Sequence, residues 1–317
     1  MINRTLIRTK VVQTLFAYYK HDDDTLLNAK KELLHSFDDV YCLYMLFLDF
    51  VNEMVSEAED KLQQDEERSK VTHTLFTANT NFINNRFASQ IFNNRGLRAF
   101  IDERHLGWDA AHESLKALFK DIAASQYYSD YMSLAAPTYE EDKMLWRKIF
   151  TSILPDNANL EDALQELEIA LDHRNWVTDT NIVLSFVIKT VKRFSEDSTP
   201  EQALLPMFDS ENDLNFAKDL LQAAIKNKDE YTALIESHLK NWDINRIAYI
   251  DLIIMQVAVA ELLIFPNIPI QVTLNEYLEI AKEYSTPKSH IFINGVLDEL
   301  IRDLKNRNEL IKAVAIN

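Results

Sequence analysis

The sequence predicts an all-α protein. Only 3 glycines and 7 prolines occur among 317 residues. Both residue types break helices and mark turns, so their scarcity argues for long helices and short connections. The β-branched residues form no alternating runs between turn signals, which removes the pattern of a half-buried strand. A hydrophobic content of 47% supplies a sizeable core, and the length suits two domains or one large one.

The elements follow in order. Residues 4–19 have helical periodicity, with Ile7, Val11, Leu15 and Tyr18 forming one stripe. Arg4 and Arg8 are four apart and share a face of the first turns. Asp22, Asp23 and Asp24 read as a loop and an N-cap. Helices are expected at 26–37 and 38–64, the second ending in a charged, exposed tail. The Asn-rich stretch 79–94 reads as a loop with a frayed helix inside it. Gly96 and Gly107 bracket a short element. Pro137 suits the start of a helix leading into 144–153, which Pro155 ends. Helices follow at 160–172 and 177–194. The polar stretch 195–206, with two prolines, is the best linker. Beyond it, 214–226, 231–239, 243–265, 272–284 and 287–305 all read as helices. Asp243 is a candidate cap for the third of these, and Thr286 before Pro287 for the last. The linker divides the chain into 1–205 and 206–317.

Net charge is −17. Nucleic-acid binding rests on neutralising phosphates, so this balance alone argues against a strong autonomous binder. The distribution qualifies that. No Asp or Glu precedes Asp22, whereas Arg4, Arg8, Lys10 and Lys20 fall in that stretch. The alternative reading is a solvated helix end. The single cysteine, Cys42, sits in an apolar run and reads as a buried structural thiol in a reducing, cytoplasmic setting. No secretory signal is read at the start. Residues 40–48 are too short for a bilayer of ~30 Å, and 250–265 is interrupted by Asp251, Gln256 and Glu261. Both read as core helices, so no membrane span is expected.

Chemistry-bearing motifs are missing. Three dispersed glycines cannot cradle a phosphate, and no HExxH or CxxC occurs. No Gly-x-Ser-x-Gly frames a serine. No catalytic residue, cofactor or metal is assigned, and no enzyme is expected.

Three segments carry a resemblance instead: RTLIRTKVVQTLFAYY from Arg4, NWDINRIAYIDLIIMQVAVAEL from Asn241, and IPIQVTLNEYLEIAKEYSTPKSHIFINGVLDEL from Ile268. Asn275-Glu276, Ala281-Lys282 and the run from Ser289 to Asp298 are the most specific pieces. In order and spacing these segments resemble the NusB family of bacterial transcription antitermination factors. The likeness covers about the first twenty residues and roughly 231–304. The region 24–227 has no counterpart, so residues 1–205 resemble the family's first helix plus a large insertion, and 206–317 its C-terminal bundle.

The resemblance implies two packed helical bundles, the N-terminal one enlarged. It implies a non-catalytic factor that binds boxA-type RNA with the small-subunit ribosomal protein NusE, within the RNA polymerase antitermination complex. Arg4, Arg8 and Lys10 match an RNA-touching basic segment, thinner here than in the family. Lys288, Ser289, His290 and Phe292 match the opening of the last helix beside the RNA path. A helix N-terminus suits phosphate, and Phe292 suits stacking on an unpaired base. Ile291 stands where many relatives carry lysine, and Pro287-Lys288 where they carry acidic residues. Phe16 and Asp251 match residues that face NusE. Cations from the chain's start and from Lys288 are thus expected to line one groove.

Other readings remain. His290 suits a helix terminus and Phe292 a core. Asn294-Gly295 inside a helix reads as tight packing. Asp251 reads as a partner contact or an internal bond. Trp242 and Arg246 read as structural. A scaffold that keeps the fold without RNA binding is the rival function. An RNA cytosine methyltransferase would need a glycine-rich cofactor domain and a catalytic cysteine motif that this chain lacks.

Overall fold

The computed structural model describes residues 1–20, 25–239, 244–310 and 312. The sequence readings of Asp22, Asp23, Asp24, Trp242 and Asp243 lie outside them. In chain order the helices begin α1 (Arg4–Tyr18), α2 (Leu26–Thr72), α3 (Arg86–Phe92), α4 (Arg95–Arg104) and α5 (His112–Ala124). Next come α6 (Gln126–Met132), α7 (Tyr139–Lys148), α8 (Ala158–Leu171), α9 (Trp176–Arg193) and α10 (Glu211–Lys226). The last are α11 (Lys228–Glu236), α12 (Tyr249–Ile264), α13 (Ile270–Tyr284) and α14 (Ser289–Asn306). A π-helical stretch, Ile149–Ile153, continues α7. No strand forms among the described residues; one isolated bridge joins Ile2 to Phe208. The all-α expectation holds.

The chain divides into two compact units, Met1–Phe37 with Met207–Asn317, and Asp38–Pro206. This grouping differs from a boundary at 205/206 alone. The first 37 residues join the C-terminal unit because α1 packs on α10 and α12. Three contacts fasten that join. Ile2 N donates to Met207 O at 2.8 Å, the Met1 amino group pairs with Asp209 at 3.2 Å, and Arg4 Nε with Asp213 at 3.2 Å.

Within this first unit α12 is central. It packs against α1, α10, α11, α13 and α14. Every residue from Ile253 to Leu262 is buried, as an all-round apolar helix requires. On α1, Ile7, Val11 and Leu15 are fully buried, following their stripe. α14 opens at Ser289, with Lys288 at the cap position and no side-chain cap. The cap expected from Thr286 does not form; its hydroxyl meets Ser289 Oγ at 2.8 Å instead.

The second unit is built on α2, which the sequence reading breaks at 37/38. Asp38 and Asp39 disfavour a helix interior, but tertiary partners override that preference. Asp38 accepts from Arg104 at 2.8 and 2.9 Å, and the Asp39 carbonyl accepts from Trp176 Nε1 at 2.9 Å. The Asn-rich stretch is more ordered than a loop. Asn85 caps α3 through Ala88 N and Asn94 caps α4 through Leu97 N, each at 2.9 Å. Thr138 and Glu141 form a reciprocal capping box at α7. Trp108, Trp146 and Trp176 are fully buried in this unit. Cys42 is buried too, and burial pushes its thiol up to about 12, which makes it inert.

Gly295 corrects one reading. It is exposed on α14, and an added Cβ would meet nothing within 4 Å. No close packing requires it. Gly295→Ala is therefore expected to raise stability by about 0.5–1 kcal/mol, read as a higher urea midpoint at unchanged slope. A loss of stability would show that the position is crowded after all.

Candidate nucleic-acid interface

The basic start of the chain is drawn inward. The Arg8 side chain is 3% exposed and Lys10 is buried as well. Arg8 Nε donates to Glu261 Oε2 at 2.7 Å and Nη2 to Oε1 at 2.9 Å, a bidentate fork. Glu261, itself fully buried, also accepts from Thr273 Oγ1 at 2.8 Å and Tyr277 OH at 3.0 Å. Glu276 adds a second carboxylate 3.5 Å from Arg8. Burial alone would lower the Arg8 pKa, but the Glu261 bond and charge outweigh it and hold the guanidinium charged. Burial and Glu261 raise the Tyr277 hydroxyl well above its usual range, so it stays a donor. The network locks α1, α12 and α13 together.

Arg4 remains 44% exposed, paired with Asp213. Its guanidinium lies 4.9 Å from the Phe216 ring and that of Arg8 5.4 Å from the same ring, so the two arginines do share a face. That face meets α10 and the far end of α12.

α1 and α12 run antiparallel. Arg8 reaches Glu261, while the Phe16 ring lies 5.8 Å from Tyr249 at the start of α12. The opening of α14 sits at that same start. Ser285 and Ser289 donate to separate oxygens of Asp251, at 2.5 and 2.7 Å. Asp251 and Glu261 are ten residues apart, roughly 15 Å along a helix. The groove expected between Arg8 and Lys288 is therefore not lined by Arg8, whose charge is spent inside the bundle.

Other cations sit on aromatic rings near the end of α1. Lys20 Nζ lies 4.1 Å from the Phe16 ring, and Tyr249 beside it is 43% exposed. Lys228 Nζ stands 4.1 Å from the Tyr19 ring. Lys288 is exposed, whereas Ser289 is 4% exposed and committed to Asp251. His290 and Phe292 are half-buried, and His290 Nδ1 has no hydrogen-bond partner among the described residues. Asp251 is 4% exposed, so its carboxylate works internally; Phe16 is half-buried, its ring in contact with Lys20 and Tyr249. Arg246 is exposed. The one sequence sign of the lock was a carboxylate, Glu261, interrupting an apolar helix.

Charge is also unevenly shared. Most of the excess of acidic over basic residues lies in 38–206, which leaves the first unit far nearer neutrality than the whole chain. Among the described residues no helix is long and apolar enough to cross a membrane.

The model of the NusB family matches residues 182–302, so the likeness begins inside α9 rather than near 231, and the stretch 182–227 has a counterpart after all. The transcription antitermination protein NusB of Salinibacter ruber is 40% identical over 121 residues, covering 37% of this chain and 76% of that protein. The protein of the same name from Bacillus licheniformis is 32% identical over 109 residues, 34% of this chain and 84% of its own length. That from Finegoldia magna is 40% identical over 97 residues, covering 31% and 71%. No solved structure matches. Fold and matches define the class, an all-α transcription antitermination factor. The chain belongs to the NusB family, and is larger than its typical members.

Proposed function

We propose that this chain binds boxA-type RNA together with the small-subunit ribosomal protein NusE, and acts without catalysis in the RNA polymerase antitermination complex. One observation supports this most. At one end of α12, exposed Lys288 and half-buried His290 stand at the uncapped start of α14, while Lys20 sits on Phe16, whose ring meets Tyr249 at that same end of α12. Uncapped helix N-termini and lysines attract phosphate, while accessible rings stack on bases. In this reading RNA meets Lys288, His290, Phe292 and Lys20, with Arg4 further out. Arg8 and Lys10 serve from within, by seating α1. Phe16 offers its ring to NusE, and Asp251 sets the neighbouring surface by holding Ser285 and Ser289.

The scaffold reading keeps one supporting fact, the burial of Arg8 and Lys10. A short boxA-like RNA titrated at two salt concentrations, with and without NusE, separates the two. RNA binding predicts affinity that falls with salt and rises with NusE. Lys20→Glu with Lys288→Glu should weaken binding and flatten the salt slope by roughly 1 to 1.5. Affinity indifferent to salt, to NusE and to the double variant would favour the scaffold.

A further inference from the structure

The second unit carries a cavity of about 460 Å³ between α2 and the α3–α4 region. Its α2 wall presents Asp49, Asn52, Glu53, Ser56 and Glu59, and its other lining includes Ile83, Phe92 and Arg98. The carboxylates are not equivalent. Asp49 is buried and takes Arg98 as its partner. Glu53 and Glu59 have no ion-pair partner among the described residues. Glu53 is half-buried, with Asp49 and Glu57 one turn away on either side. Burial, then Asp49, Asp109 and Glu57, push it up to about 7; the nearest opposing cation, Arg98, is engaged elsewhere. Beside these carboxylates the Phe92 ring is 59% exposed, a large apolar surface left in water at the edge of a concavity.

We infer that this cavity receives an arginine or lysine side chain presented by a basic partner polypeptide. The cation would pair with Glu53 and Glu59 and lie on Phe92, with its aliphatic stem against Val55 and Ile83. Charge decides the occupant. The walls repel phosphate, which argues against RNA here. Residues 38–206 are strongly acidic overall, which opposes a second copy of the same unit. No three His, Cys, Asp or Glu residues among the described ones converge as metal ligands, and an aromatic ring is no use to a hard cation. The site is independent of the RNA reading, since it belongs to the other unit.

A fluorescein-labelled Gly-Arg-Leu-Lys-Gly peptide, titrated into the full chain at moderate salt, tests this. Glu53→Gln with Glu59→Gln should weaken binding about tenfold or more. Glu161→Gln with Asp162→Asn removes the same charge from exposed positions on α8 and should leave affinity within about twofold. Phe92→Ala should weaken binding several-fold without altering helix content. Equal losses in both double variants would overturn the proposal by reducing it to general charge. So would no binding to the native chain, displacement by spermine at stoichiometric concentration, or self-association abolished by the Glu53 and Glu59 changes.

Discussion

Arg8→Ala should cost about 3–5 kcal/mol, because it strands a buried carboxylate rather than merely deleting a contact. Glu261 is fully buried and takes two of its bonds from Arg8. Without the guanidinium, Thr273 and Tyr277 remain as donors, and they carry no charge. Arg8→Lys should recover only part of the loss, since an ammonium cannot reproduce the planar fork. Hydrogen exchange should place the damage in α1, α12 and α13, leaving the helices of the second unit protected. RNA binding by this variant would fall through unfolding, so it is a poor probe of RNA contact. A loss below about 1 kcal/mol would show that water or rearrangement satisfies Glu261, and that the lock is dispensable.

Much of the fold is legible in the sequence. The scarcity of glycine and proline announces helices, and the stripe on α1 identifies its buried face. The stripe of Leu115, Leu118, Phe119 and Ile122 on α5 is at helical spacing as well, and these four are the buried residues of that helix. What escapes local pattern is whatever depends on distant partners. Asp38 and Asp39 look like a break until Arg104 and Trp176 supply bonds across the second unit. The grouping of residues 1–37 with the C-terminal helices rests on contacts such as Arg4 with Asp213, which no window of neighbouring residues contains.

The candidate site divides in the same way. Lys288, His290 and Phe292 are placed by a helix start that the proline and serine pattern marks to within two residues. Arg8 reads as a surface cation because its neighbours on the first turns are Arg4 and Lys10. Its true partner is 253 residues away, and a bidentate fork outweighs the helix-face argument. Phe16 and Tyr249 come together only because α1 and α12 run antiparallel, a fact of packing rather than of sequence spacing.

Asp251→Ala should lower stability by about 2–4 kcal/mol, two charge-assisted bonds at roughly 1.5–3 each less the cost of burying the carboxylate. The bonds come from Ser285 and Ser289, which flank the turn between α13 and α14. Removing the acceptor frees that turn, and with it the position of Lys288 and His290. Asp251→Asn keeps one acceptor oxygen and should cost about half as much. Ser285→Ala with Ser289→Ala should cost at least as much as Asp251→Ala, because it leaves the carboxylate buried without donors. The series separates two roles for one residue. A direct NusE contact predicts that Asp251→Asn changes the gain in RNA affinity from NusE while chemical denaturation is unaffected. An internal clamp predicts that the stability loss and the RNA loss move together across all three variants. The 4% exposure of Asp251 commits the protein to the second pattern.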